Sequence, residues 1–148
     1  MLTKLKNILE KKNIESKQEM DEKLALSALL IEVAMIDGTI SNSEKTTILR
    51  LISAFFELNN DESKELYELA SEIQENQSQI LGYTRVVKEK YSENERINLI
   101  EMLWEVVQAD GIEDSFETNL IRRIAGLLYV KDFESGLARK RAQKKSIN

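Results

Sequence analysis

The sequence predicts an all-α fold, a single helical bundle of about seven to eight helices. Apolar residues recur at steps of three and four almost throughout the chain, which is the period of one helix face. None of the 148 residues is proline, the residue that most disrupts helices. Residues that cap helix starts stand just before the apolar-periodic stretches. Together these observations indicate helices joined by short polar connections.

The first predicted helices differ in how much of their surface is apolar. Leucine and isoleucine recur on one side between Leu2 and Leu9, which predicts a short amphipathic first helix. The next helix is predicted from about 20 to 36 and is apolar nearly all round after Leu24, so we expect it at the centre of the bundle. An S-x-x-E capping box then predicts the following helix start, at Ser41 and Glu44.

The later helices show the same signals. A helix start is predicted at Asn60 or Asp61, and a helix with one apolar side is predicted between about 79 and 91. Two more starts follow the capping pattern, Ser92 with Glu95 and Asp114 with Glu117. The last helix, from 132 to about 144, is predicted to be amphipathic early and basic late.

An internal repeat organises the chain. The stretch "IDGTISNSE" at 36–44 returns as "ADGIEDSFE" at 109–117, an offset of 73 residues. Each copy reads as helix, acidic loop, helix, over about 20–58 and about 92–131 of a single domain, 1–148. Two such hairpins would pack most economically face to face, about a pseudo-two-fold axis. We therefore expect the two loops to lie near each other.

Composition excludes several kinds of site. The chain has no Cys and no His, so it offers no thiol nucleophile, no zinc–thiolate cluster and no imidazole base. Any metal would need oxygen ligands, which favours a hard cation such as Ca²⁺ or Mg²⁺. Neither a Gly-rich phosphate loop nor a nucleophile motif appears, so we predict no enzymatic activity and no organic cofactor.

Charge and hydropathy bear on partners and location. The net charge of −5, with 26 acidic against 21 basic residues, argues against nucleic acid as the main partner. No run approaches the roughly 18 apolar residues of a membrane span. The start of the chain lacks the cleavage site of a signal peptide. We expect the protein in the cytoplasm.

The acidic loops allow two interpretations. In the simpler one, Gly38 and Gly111 take the left-handed conformation that ends a helix, and the polar residues after them cap the next helix. In the other, the pattern D-G-x-I-x-x-x-E repeats the second half of an EF-hand calcium loop. The first half is missing, so one loop cannot supply the six or so oxygens that Ca²⁺ needs, whereas two loops together could complete a shared site. The candidate ligands are Asp37, Glu44, Asp110, Glu113, Asp114 and Glu117.

The stretches "VAMIDGTISNSE" and "ADGIEDSFETNLIRRIAGLLYV" resemble the acidic helix–loop–helix repeats of the TerB family, which is named for bacterial tellurite resistance. The similarity covers roughly residues 20–135, and it is stronger in the second copy. The resemblance implies an all-helical cytoplasmic module of stress response. It also implies a divalent-cation site at Asp37, Glu44, Asp110 and Glu117. Because the chain has no Cys, thiol chemistry on tellurite is excluded.

Two further carboxylates call for interpretation. Glu32 lies in "ALLIEVAMI" and is flanked by apolar residues on its helical face. It is either a buried acid that supports a site or a residue at an exposed edge or paired with Lys or Arg. The rarity of fully buried Glu favours the second interpretation. Glu105 shares its face with polar residues, and we expect it to be solvated.

The aromatic residues have helical spacing typical of a core, although a groove for a partner helix is the alternative. The residues predicted to be buried are Phe55, Phe56, Tyr83, Trp104 and Tyr129.

The basic C-terminus is predicted to be a solvated helix end that complements the helix dipole. Contact with an anionic membrane surface is the first alternative, helped by lysines near the N-terminus, and nucleic acid is the second. The residues concerned are Arg139, Lys140, Arg141, Lys144 and Lys145.

The sequence thus predicts a non-enzymatic module that binds a divalent cation through paired acidic loops. Its expected partner is a protein or a membrane-associated component of a stress-response system. The alternative is a purely structural interaction module whose acidic loops are helix-capping turns. A hydrolase using paired carboxylates is disfavoured, because the repeat explains the carboxylates as parts of loops. The oligomeric state is left open.

Overall fold

A computed structural model describes residues 21–76, 79–111 and 113–147, and within these ranges it contains seven helices and no strand. The all-α prediction is confirmed, while the predicted first helix at Leu2–Leu9 lies outside the described residues. None of the described helices is long and apolar enough to cross a membrane. In chain order the helices are α1 (Glu22–Ala34), α2 (Asn42–Phe56), α3 (Asn60–Asn76), α4 (Ile80–Lys90), α5 (Glu93–Val107), α6 (Ser115–Leu127) and α7 (Asp132–Ile147).

Helix α1 is the centre of the bundle, as its all-round apolar surface predicts. Every residue from Leu24 to Ala34 is buried, and the helix packs against α2, α3, α4, α5 and α6. It begins where the carboxylate of Asp21 accepts hydrogen bonds from the backbone N–H groups of Lys23 and Leu24. A helix surrounded on every side can bury apolar residues on every side, which explains the absence of a polar stripe.

The two hairpins, α1–α2 and α5–α6, are packed against each other. Helix α1 packs against α5, α2 packs against α5, and α6 packs against α1. In each hairpin the first helix contacts both helices of the other hairpin, as the predicted face-to-face arrangement requires. Helices α3 and α4 join the hairpins and both pack on α1, whereas α7 packs on α5 and α6.

Both predicted S-x-x-E capping boxes form, whereas at Asp114 and Glu117 only the N–H of Glu117 donates to the cap. The hydroxyl of Ser41 accepts from the N–H of Glu44 at 3.1 Å, and the Glu44 carboxylate accepts from the N–H of Ser41 at 2.8 Å. Ser92 and Glu95 make the same pair of bonds before α5. Helix α3 begins at Asn60 as predicted, and its capping box is formed by Asn59 and Glu62. These local bonds explain why helix starts could be located from sequence.

The burial predicted for the aromatic residues is confirmed in part. Tyr83 and Trp104 are buried, and Phe55 and Phe56 pack edge to face at the border of the core. The prediction for Tyr129 is wrong, because 72% of its surface is exposed. It lies in the α6–α7 turn with a left-handed backbone (φ 59°), which directs its ring outward while residues 128 and 130 on either side are buried.

Candidate functional site

The two acidic loops have the same backbone structure at the same offset as the sequence repeat. Gly38 and Gly111 both have positive φ, at 97° and 78°, so the predicted left-handed glycines are confirmed. Each glycine N–H donates to a carbonyl three residues earlier, that of Met35 at 2.8 Å and that of Gln108 at 3.0 Å. The sequence repeat thus corresponds to a structural repeat in which equivalent residues make equivalent hydrogen bonds.

Each loop ends by placing a glutamate in the first turn of the next helix. Ser41 caps α2 and Asp114 caps α6, each accepting a hydrogen bond from the backbone N–H of the glutamate three residues on. These glutamates, Glu44 and Glu117, are only 4% and 8% exposed. Both loops therefore hold a carboxylate inside the protein at equivalent positions.

The environment of both glutamates disfavours their charged form. Burial raises the pKa of Glu44, and the nearby carboxylates of Asp110 and Asp37 raise it further, against hydrogen bonds from Ser41 that lower it. Burial together with the charges of Asp114 and Glu44 raises the pKa of Glu117 to about 7. No ion pair joins either glutamate to a described Lys or Arg. Neither buried glutamate therefore has a cationic partner within the described part of the chain.

The same electrostatic effects show that the two loops lie on one side of the bundle. Asp110 from the second loop acts on Glu44 from the first, and Glu44 acts on Glu117. Such effects between carboxylates fall off steeply with distance in a solvated protein. The loops are consequently neighbours, as the packing of two equivalent hairpins predicts.

The remaining candidate ligands have structural roles as well. Asp37 is exposed, and its carboxylate accepts from the N–H of Thr39 at 3.1 Å in a local turn. Asp110 is exposed, and Asp114 is half-buried as the cap of α6. Glu113 forms an ion pair with Arg139 of α7, so its carboxylate is directed toward that helix.

The two loops do not by themselves meet the coordination needs of a metal ion. Within residues 21–76, 79–111 and 113–147, no group of three or more acidic side chains is placed so that it could hold one. Hard cations need about six oxygens, so the loops do not form a finished cage. What they offer is a set of neighbouring, mutually repelling carboxylates on short loops. A cation would have to draw these side chains together.

Glu32 lies apart from the loops and is buried, with 8% of its surface exposed. Its carboxylate accepts a hydrogen bond from the side-chain amide of Gln74 at 3.1 Å. The favoured expectation of an exposed or cation-paired residue is wrong, because an amide on α3 satisfies the carboxylate instead. Its effect on the surroundings is seen at Tyr83, where burial and then the Glu32 charge raise the hydroxyl pKa.

Glu105 is also buried, which contradicts the expectation of a solvated residue. Only 7% of its side chain is exposed, and it pairs with Arg50 of α2 at 3.4 Å and with Lys145 of α7 at 3.6 Å. One turn earlier, Glu101 pairs with Arg141 and Lys145. Polar residues on this face of α5 are thus covered by helices that carry the opposite charge.

The basic C-terminal helix is therefore only partly a solvated end. Arg139, Arg141 and Lys145 form ion pairs with carboxylates of α5 and the second loop, whereas Lys140 and Lys144 are exposed. The sequence contains a signal for this pairing in the spacing of the charged residues. Glu101 and Glu105 stand four residues apart, as do Arg141 and Lys145, so each pair lies on one helix face.

Comparison with known proteins places this geometry in a family. A family model described as tellurite resistance protein TerB matches residues 23–140, which is most of the chain. The chain belongs to the TerB family. No curated protein and no solved structure gave a match. TerB domains are in general non-enzymatic, and the matched residues include both acidic loops and most of α7.

Proposed function

We propose that this TerB-family chain is a non-enzymatic module that binds a divalent cation between its two acidic loops. The observation that carries the proposal is the pair Glu44 and Glu117, buried at equivalent positions and repelling each other without a described cationic partner. A bound cation would relieve that repulsion and allow both groups to ionise at neutral pH. Since all available ligands are oxygen atoms, the expected cation is Ca²⁺ or Mg²⁺.

The expected ligands are Asp37 and Glu44 from the first loop and Asp110 and Glu117 from the second. Ligands from both loops are needed because each loop alone offers too few oxygens. The side chains would have to move together, so we expect modest affinity, on the order of 10⁻⁵ to 10⁻³ M. The cation would then join the two hairpins at their loops.

The alternative is a structural interaction module whose loops only cap helices. Two observations favour it: no three-carboxylate group able to hold an ion exists among the described residues, and Ser41, Glu44 and Asp114 already serve as caps. We keep it as the second candidate function. It differs from the first in predicting no response to Ca²⁺ or Mg²⁺.

The biological setting that we propose is a stress-response system in the cytoplasm with a protein as partner. Family membership supports this setting, as does the absence of any nucleophile or phosphate-binding motif in the sequence. Tellurite itself is not part of the proposal, because the chain contains no thiol to react with it.

Calorimetric titration of Ca²⁺ and Mg²⁺ into metal-stripped protein tests the cation proposal. We expect saturable binding that is weakened by Asp110→Asn, by Glu117→Gln and, because the site is shared, by Asp37→Asn. The amide variants keep the size and much of the capping geometry of the acids. Asp61→Asn is the matched control, because it removes an exposed carboxylate from α3, away from the loops.

Terbium luminescence provides a second measurement. Tb³⁺ is a hard cation, and Trp104 lies on α5 less than two turns before Asp110, so the indole is placed to sensitise bound Tb³⁺. If neither Tb³⁺ nor Ca²⁺ at millimolar concentration changes emission or melting temperature, the loops are turns and the structural alternative is correct. Loss of signal in Asp110→Asn but not in Asp37→Asn would mean that the site belongs to one loop only.

A further inference from the structure

The outer face of α7 combines exposed apolar and basic side chains. Phe133, Leu137, Lys140 and Lys144 are spaced by four, three and four residues, so they form one stripe along the helix. Phe133 is 63% exposed and Leu137 is 48% exposed, and both lysines are exposed. We call these four residues the α7 stripe. It contains no carboxylate.

The opposite face of α7 is the one that docks on the protein. Ser135, Ala138 and Ala142 are buried there, and these small side chains let α7 approach α5 closely. The cations beside them are used in ion pairs, as described for Arg139, Arg141 and Lys145. No described carboxylate forms an ion pair with Lys140 or Lys144. The helix thus presents its unpaired positive charge on the side that faces away from the bundle.

The turn before α7 carries a further exposed aromatic ring. Tyr129 is 72% exposed at the end of α6, and the ammonium group of Lys88 lies 4.8 Å from the centre of its ring. A left-handed backbone is costly for a residue as large as tyrosine. The chain nevertheless places this aromatic ring in solvent, a few residues before Phe133.

Negative charge is concentrated on one of the helices that join the two hairpins. Helix α3, which packs on α1 and α2, carries an outward stripe of acidic residues spaced by four, three, four and three. A net charge of −5 would repel the whole protein from an anionic surface, so attraction requires a local face of opposite sign. The acidic residues on α3 are Asp61, Glu65, Glu68, Glu72 and Glu75.

We propose that the α7 stripe, together with Tyr129, binds an anionic lipid surface. A bilayer interface offers acyl chains to Phe133 and Leu137 and lipid phosphates to Lys140 and Lys144 within one layer. The stripe is a ridge on a single outer helix, a shape that a deformable surface can surround. This inference does not depend on the cation proposal, because neither acidic loop contributes a residue to it.

Vesicle co-sedimentation of the full chain tests the inference. We expect pelleting with phosphatidylcholine vesicles that contain phosphatidylserine, no pelleting with phosphatidylcholine alone, and release as salt is raised. Lys140→Gln with Lys144→Gln should weaken binding by about 30-fold, on the basis of the usual contribution of a lysine near an anionic surface. Lys64→Gln with Lys90→Gln is the matched control and should leave binding unchanged, because these exposed lysines lie on α3 and α4.

The apolar part of the stripe is tested separately. Phe133→Gln with Leu137→Gln should reduce binding even at low salt, whereas Phe116→Gln, at a still more exposed phenylalanine on α6, should not. Circular dichroism will show whether the variants remain folded, as we expect for exposed positions. Failure of the intact chain to pellet with phosphatidylserine vesicles would overturn the inference, and a protein with an acidic groove would then be the occupant to seek. Equal loss of binding in the target and control variants would overturn it as well.

Discussion

The buried glutamates make the stability of the fold depend on pH in an unusual direction. Glu117 has an ordinary pKa of 4.5 and a pKa of about 7 in the fold, and the pKa of Glu44 is raised as well. The folded state therefore binds protons more tightly than the unfolded chain between these pH values. Stability from Glu117 is fully present below about pH 4.5 and is lost as pH rises through about 7, and Glu44 acts in the same direction. The chain has no His, so no histidine titration adds to the pH dependence in this range.

Replacing Glu117 with Gln should remove most of this pH dependence. We expect the melting temperature of metal-free wild type to fall between pH 5 and pH 8, beyond the change seen in the variant. At pH 8 the variant should be the more stable protein, because it buries no charge next to Asp114 and Glu44. If the melting temperatures of the two proteins change with pH in parallel, the pKa of Glu117 is not raised in the fold.

Tyr129 gives a second prediction at the residue scale. Its φ of 59° suits glycine and disfavours side chains that branch at Cβ. Tyr129→Gly should be more stable than Tyr129→Val by at least about 1 kcal/mol in urea unfolding. Both variants lose the contact of the ring with Lys88 equally, so the comparison isolates the backbone. Equal stabilities would mean that the turn relaxes to another conformation.

These residues also mark where sequence reasoning succeeds and fails. The left-handed glycines and the capping residues were predictable because their chemistry is local, within four residues of chain. The exposure of Tyr129 was not, since helical spacing continues through a turn that the periodicity does not reveal. Burial of Glu32 depends on Gln74, 42 residues away, and nothing in the local pattern indicates that contact.

At the scale of elements, α7 is attached to the bundle by charge as well as by packing. Burial opposes ionisation of Glu101, but hydrogen bonds from Lys145 and Arg141 outweigh it and lower the glutamate pKa. A lowered pKa means that the stabilisation is present above about pH 4.5 and is lost as pH falls through the folded-state value. High pH thus lowers stability through the buried glutamates of the loops, and low pH lowers it through the ion pairs that hold α7.

Glu101→Gln should therefore destabilise the protein by about 1.5–3 kcal/mol at neutral pH, the usual range for a hydrogen bond to a charged group. Urea unfolding provides the measurement, and the difference from wild type should shrink in acid. Glu68→Gln, on the exposed face of α3, is the control and should stay within about 0.5 kcal/mol. An effect as small as that of the control would mean that α7 is held by its small apolar residues alone.

The positions of helices along the chain were predictable from sequence, whereas the contacts between helices were less so. The all-α class and the central position of α1 follow from apolar periodicity, which reflects burial, and the repeat follows from the near copy of one stretch at an offset of 73 residues. The docking of α7 on α5 brings together residues 31 to 44 positions apart, such as Arg141 and Glu101. Charged residues on a helix face look the same in a sequence whether solvent or another helix covers them, so Glu105 was assigned to the surface.

At the scale of the molecule, the two hairpins share one core. Leu30 of α1 and Leu103 of α5 are fully buried and stand at the same offset as the loops. Leu30→Ala and Leu103→Ala should each cost about 2–5 kcal/mol and leave a single cooperative transition. Thermal unfolding followed by circular dichroism and by Trp104 fluorescence checks this. Two separate transitions in either variant would show that the hairpins are independent units.

The central place of α1 has a consequence for the chain while it is being made. Ala34 ends a helix whose whole surface is covered in the finished protein, yet α5 ends only at Val107, 73 residues later. At the usual rate of synthesis that interval takes roughly 4 to 15 s. During this time the apolar surface of α1 has no α5 or α6 to cover it. We therefore expect α1 to be a binding segment for chaperones on the nascent chain.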